Sequence, residues 1–114
     1  MPTFLITGSN RGIGLELCRQ IHKRGDKVIA TCRKASKELR ELGVRIEENI
    51  EISSDESITI LCKKLSGVKL DCLIHNAGIY EFNSLENLDK ESILNQFEVN
   101  ALSPILITQS LKHL

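Results

Sequence analysis

Thr7-Gly8-Ser9-Asn10-Arg11-Gly12-Ile13-Gly14 is the stretch whose reading decides the fold. Ahead of it, Thr3 to Thr7 is a short apolar run that reads as a buried strand stopping at Gly8. Behind it, from Gly12 to Arg24, Ile13, Leu17, Cys18 and Ile21 recur at helical spacing, and Gly25 follows as a C-terminal stop. A strand that passes through a glycine-rich turn straight into a helix makes an anion site. Free backbone N–H groups and the positive end of the helix dipole point at one place there. In this reading Gly8 allows the tight turn, Gly12 the close approach of a pyrophosphate, and Gly14 the close packing of helix on strand.

The pattern continues along the chain. Lys27 to Thr31 reads as a second strand, and Ala35 to Leu42 as a short helix ended by Gly43. Val44 to Ile52 reads as a third strand, interrupted by Glu47, Glu48 and Asn49. Ser53 with Glu56 forms a capping box, followed by a stripe of Ile58, Leu61, Cys62 and Leu65 closed by Gly67. Leu70 to His75 is a fourth strand ending at Asn76-Ala77-Gly78. After a polar loop, Asp89 caps a last helix that runs through Ile93, Leu94 and Phe97 to Leu111, with Pro104 set to kink it or mark an irregular turn. Alternating strands and helices of this length imply parallel pairing with right-handed crossovers. The expected order is 3-2-1-4, the N-terminal part of an α/β, Rossmann-like doubly wound sheet.

Composition narrows the function classes. The chain has 114 residues, 41% hydrophobic and 26% charged, which suits one small globular domain. Fifteen basic and fifteen acidic side chains cancel, so no net charge favours nucleic acid or an anionic membrane, and neither is expected as a partner. No apolar run is long enough to span a bilayer, and the N-terminus lacks a signal-peptide pattern, so a cytoplasmic location is the expectation. Cys18, Cys32, Cys62 and Cys72 have no metal-ligand spacing with His22, His75 or His113, so no metal is expected, and they read as buried reduced thiols.

The glycine spacing adds more. The widespread dinucleotide fingerprint is G-x-G-x-x-G, whereas here Thr7 precedes Gly8-x-x-x-Gly12-x-Gly14. That form resembles the short-chain dehydrogenase/reductase family, and so do Asn76-Ala77-Gly78 after the fourth strand and Val99-Asn100 in the last helix. The resemblance covers the whole chain. It implies that residues 1–114 are the dinucleotide-binding part of a single domain, ending before the family's catalytic Tyr/Lys segment.

By the same resemblance, the turn residues Gly8, Ser9, Asn10, Arg11, Gly12, Ile13 and Gly14 line the cofactor, with Gly8, Gly12, Ile13 and Gly14 at the pyrophosphate. Asn76 would tie the fourth strand to the first turn, with Ala77 and Gly78 beside the adenosine ribose. Glu51-Ile52 is similar to the family's adenine-side pair, with Glu where the family more often has Asp. Val99 would complete the cofactor site, and Asn100 matches the family's active-site Asn, which props a kinked helix and helps hold a proton-relay water.

Cofactor type is read at the end of the second strand. NAD-preferring sites place an acid about 20 residues beyond the glycines to bond the ribose 2′-OH. Here Ala30-Thr31-Cys32-Arg33 puts Cys32 at that place, and Asp26 comes too early. A guanidinium grips a 2′-phosphate where a carboxylate would repel it. Arg33, with Arg11 from the turn, therefore predicts NADP rather than NAD.

The family reaction implies a NAD(P)-dependent interconversion of a small carbonyl or alcohol by hydride transfer. That chemistry needs a pKa-tuned Tyr, a Lys four residues later and a Ser. The one tyrosine, Tyr80, is followed at position 84 by Ser84, so it reads as a loop-packing residue rather than a proton donor. These 114 residues alone are therefore expected to be inactive, with the alternative of a non-catalytic dinucleotide-binding or interaction module should 114 be the natural length. The runs Ile29 to Arg33 and Asn76 to Tyr80 look like carbonyl reductases of the sniffer and C-factor type. Leu102, Ile105 and Leu106 would suit a homo-oligomer contact through the last helix, and the fourth strand should leave an unpaired sheet edge.

Overall fold

A computed structural model of the chain describes residues Met1–Leu114. Strands β1 (Thr3–Ile6), β2 (Lys27–Thr31), β3 (Arg45–Glu47) and β4 (Cys72–Ile74) alternate with helices α1 (Gly12–Lys23), α2 (Lys37–Glu41) and α3 (Asp55–Lys64). After β4 come α4 (Lys90–Phe97), a π-helical turn (Glu98–Leu102) and α5 (Ser103–Leu111). The sheet is wholly parallel in the order β3-β2-β1-β4, as the alternation of elements requires, and β3 and β4 are its edges. The register sets Phe4 beside Val28 and Cys72, and Ile6 beside Ala30 and Ile74.

Both faces of the sheet are covered, so its strands are apolar on both sides. Leu5 and Ile29 face one way and pack with Ile58, Leu61 and Leu65 of the α3 side and Ile107 and Leu111 of α5. Ile6, Val28 and Ala30 face the other way, against Cys18 and Ile21 of α1 and Leu39 of α2. The period-two alternation of a strand thus divides one short apolar run between two cores. No helix is long and apolar enough to cross a membrane.

The first strand and first helix each end one residue earlier than expected, and four further boundaries differ. The third strand covers only Arg45–Glu47 because Asn49 takes φ 61°, a left-handed conformation that no strand residue adopts. Its N–H donates to the Arg33 carbonyl at 2.9 Å, and that of Ile50 to the Cys32 carbonyl at 3.0 Å, so the chain turns while staying tied to the end of β2. The cap of α3 is Ser54, which accepts from Ser57 N–H, and not Ser53, whose hydroxyl donates instead to Glu51 Oε1 at 3.2 Å. Helix α2 starts only at Lys37, because Ser36 is held extended as its cap. The fourth strand is confined to Cys72–Ile74.

The last helix bears out Asp89 as its cap, through a bond from Ser92 N–H, and shows what Pro104 does. Proline has no N–H to give to the carbonyl one turn earlier. The preceding residues Glu98–Leu102 widen into a π turn, closed by Ser103 N–H and Oγ on the Glu98 carbonyl. Asn100 lies in that widened turn.

Candidate dinucleotide site

At the C-terminal edge of β1 the chain turns at Gly8 (φ 65°), runs through Ser9 to Arg11, and enters α1 at Gly12 (φ 58°). The three glycines differ in what forbids a side chain. A Cβ on Gly8 would lie 2.8 Å from the Ala77 Cα, and one on Gly14 would lie 2.0 Å from the Gly8 carbonyl oxygen. A Cβ on Gly12 would meet no atom within 4 Å, so this glycine keeps space open outside the turn rather than within the packing.

The start of α1 is chemically unlike those of the other helices that follow loops. Ser36, Ser54 and Asp89 cap α2, α3 and α4, and each of those helices has an acid in its first turn. Helix α1 has neither: its N-cap Arg11 makes no side-chain cap and its first turn has no acid. Its first backbone bond is Leu15 N–H to the Arg11 carbonyl, so the N–H groups of Gly12, Ile13 and Gly14 have no intrahelical acceptor. Uncapped donors at the positive end of a helix, next to open space, suit a diphosphate.

The turn is clasped to its neighbours by residues with two kinds of work. Thr7, 2% exposed, accepts at Oγ1 from Asn76 N–H at 3.1 Å and Ala77 N–H at 3.0 Å. The Asn76 amide donates to the Gly8 carbonyl at 3.0 Å, which makes it the expected tie between β4 and the turn. Ser9 is fully buried and its hydroxyl donates to the Ile6 carbonyl at 2.7 Å, so its side chain braces the turn from within. Asn10 faces the segment after β2: its amide donates to the Lys34 carbonyl and accepts from Ser36 N–H at 2.7 Å, while Ser36 Oγ donates to the Asn10 carbonyl. The glycine turn and the Arg33–Ser36 segment are therefore one hydrogen-bonded unit. Ile13 stands 74% exposed at the mouth of the turn.

Cys32 is buried, and burial pushes its thiol above the ordinary range, so a neutral group stands where an acid would bond a ribose hydroxyl. Arg33 follows with its side chain 83% exposed, and its guanidinium lies 3.8 Å from Glu51 Oε2. Arg11 and Lys34 are also exposed. Glu48 is occupied otherwise: its carboxylate accepts from Ala35 N–H at 2.9 Å and pairs with Arg40 at 3.2 Å. The Ala35 bond is the first cause that holds Glu48 below the usual carboxylate range. Ile52 packs partly against the α3 core, next to the half-buried Glu51.

On the other side of the turn, Asn100 reaches the chain after β4. Its Oδ1 accepts from Ile79 N–H at 2.8 Å and its Nδ2 donates to the Ile79 carbonyl at 2.7 Å. Gly78 packs closely there, since a Cβ on it would lie 3.1 Å from Asn100 Oδ1 and the amide would have to give way. Val99, in the same π turn, is buried at 7% exposure. Tyr80 does not pack in the loop as expected but is 80% exposed. In extended chain successive side chains alternate, and with Asn100 holding the Ile79 peptide, Tyr80 is left outward. Sequence reasoning missed Thr7, Ser36 and Lys34. The Thr ahead of Gly8 was the one visible signal, and nothing local announced the Ser36 and Lys34 contacts.

Residues 2–114 match the family model described as short chain dehydrogenase. The chain is 35% identical over 116 residues to 1-hydroxy-2-glutathionyl-2-methyl-3-butene dehydrogenase of Rhodococcus sp. (strain AD45), a match that takes in 100% of this chain and 51% of that protein. It superposes with a TM-score of 0.90 and 29% identity on a short-chain dehydrogenase/reductase from Burkholderia multivorans with bound NADP, covering 98% of this chain and 53% of that one. The NADPH-bound carbonyl reductase from chicken fatty liver gives a TM-score of 0.84 and 27% identity, covering 98% of this chain and 50% of that one. The chain thus spans about half the length of these proteins. With its glycine turn, its Asn76-Ala77-Gly78 clasp and its parallel sheet, the chain belongs to the short-chain dehydrogenase family.

Proposed function

We propose that this chain is the NADP(H)-binding part of an oxidoreductase that interconverts a small carbonyl compound and an alcohol. The observation that carries the reading is the uncapped, acid-free start of α1 beside the open face of Gly12. The amide groups of Gly12, Ile13 and Gly14 would hold the diphosphate, Glu51 and Ile52 the adenine edge, and Ala77 and Gly78 the adenosine ribose. Arg33 and Arg11 would bind the 2′-phosphate, which a buried neutral Cys32 does not oppose. Bound there, the cofactor would give or take the hydride.

Asn100 acts as a positioning residue in this scheme. Its amide spends one donor and one acceptor on Ile79, which fixes the π turn against the chain after β4. One further N–H and one lone pair stay free to hold a water for proton transfer. The Tyr-x-x-x-Lys pair that would donate the proton is not among these residues. We assign binding to the 114 residues and turnover to a longer protein. We place that protein in the cytoplasm and among carbonyl reductases, and assign self-association to the exposed Leu102, Ile105 and Leu106.

Titration with NADPH and NADH, followed by nicotinamide fluorescence, tests the cofactor assignment. NADPH should bind at least about tenfold more tightly, since a charge-assisted bidentate pair contributes roughly 1.5–3 kcal/mol. Arg33→Ala should remove most of that difference and leave NADH affinity within about twofold. Equal affinities for both cofactors in both proteins would refute the assignment.

A further inference from the structure

We infer that Glu51 is a specificity-determining residue that weakens the chain's preference for a 2′-phosphorylated cofactor by holding Arg33 and placing a fixed negative charge beside it. The inference rests on the NADP reading above and concerns a different residue. Two side chains meet at 3.8 Å, and they are not equally free. Arg33 is 83% exposed, and no other ion pair holds its guanidinium. Glu51 is held at both ends: its N–H donates to Ser57 Oγ at 3.2 Å, and its Oε1 accepts from Ser53 Oγ at 3.2 Å. Ser57 lies in the first turn of α3 and ties back to the Asn49 carbonyl, so this carboxylate is mounted on a braced corner.

A 2′-phosphate drawn to Arg33 must therefore compete with a carboxylate that does not move away. Once bound to the same guanidinium, the dianion lies within one Debye length of Glu51, where like charges repel. A cofactor with a 2′-hydroxyl meets no such penalty. The two carboxylate oxygens divide between partners, Oε1 taking the Ser53 hydroxyl while Oε2 faces Arg33.

The test measures NADPH and NADH dissociation constants in the full chain for wild type, Glu51→Gln and Arg33→Ala. Glutamine keeps the acceptor for Ser53 and removes only the charge. The ratio of NADPH to NADH affinity should rise between about two- and tenfold in Glu51→Gln at low salt, and the gain should shrink towards one at 1 M salt. An unchanged or falling ratio in Glu51→Gln, while Arg33→Ala does lose its preference for NADPH, would overturn the role of Glu51 alone. An Arg33→Ala protein that loses no selectivity would overturn the underlying NADP reading instead. Circular dichroism on both variants checks that the substitutions leave the fold intact.

Discussion

Replacing Thr7 by valine removes one oxygen from the joint between β1 and β4 while keeping the shape of the side chain. That oxygen accepts from two backbone donors, Asn76 N–H and Ala77 N–H, and Thr7 itself is 2% exposed. A buried donor left without a partner costs about 1–3 kcal/mol. Both donors are only partly buried, which puts each near the low end, so the expected loss is about 2–3 kcal/mol. Total stability for a chain of this size is about 6–17 kcal/mol, at roughly 0.05–0.15 kcal/mol per residue. With an m-value of about 1.5 kcal/mol per M, the urea midpoint should fall by between about 1.3 and 2 M. Thr7→Ser keeps the acceptor and should recover most of that shift. A Thr7→Val midpoint within about 0.3 M of wild type would mean that water serves these donors, and Thr7 would not be the clasp.

Two further outcomes follow from ionisation and burial. His75 Nε2 donates to Thr108 Oγ1 at 2.8 Å, because the Thr108 hydroxyl already gives its proton to the Pro104 carbonyl. Partial desolvation holds this imidazole below its ordinary value of 6.5, so between the two values the unfolded chain binds more protons than the folded one. Its contribution to stability is full above pH 6.5 and is lost as pH falls through that window, and His75→Gln should flatten the slope in urea titrations at pH 5 to 7. Burial also raises the Cys18 and Cys32 thiols, whereas Cys62 and Cys72 are half-buried. Iodoacetamide with mass-spectrometric readout should label Cys62 and Cys72 well ahead of the other two, and equal labelling would show that Cys18 and Cys32 are not enclosed.

Much of this molecule was legible without coordinates because its signals are local. Strand, glycine turn and helix lie within a couple of dozen consecutive residues, and the left-handed glycines at 25, 43 and 67 mark the ends of three helices. The order β3-β2-β1-β4 followed from alternation and crossover handedness, which need no side-chain detail. The roles of Gly8 and Gly14 were legible for the same reason, since a turn of one geometry tolerates few residues at those two positions.

Partner choice was decided elsewhere. Ser53 and Ser54 are the same residue type one position apart, yet in the fold Ser54 caps α3 while the Ser53 hydroxyl donates to Glu51. The third strand ends at Glu47 because Asn49 and Ile50 return their N–H groups to the end of β2, a contact no local pattern encodes. The fold brings Ser36 to Asn10 across 26 positions and Ala77 to Thr7 across 70, contacts that no local pattern announces. By itself the sequence determined where the glycine turn begins and which cations and carboxylates are at hand. The tertiary structure alone decided that Arg33 meets Glu51 and that the turn is clasped by Thr7, because hydrogen bonds and ion pairs act over a few ångströms and depend on which distant segments the sheet brings side by side.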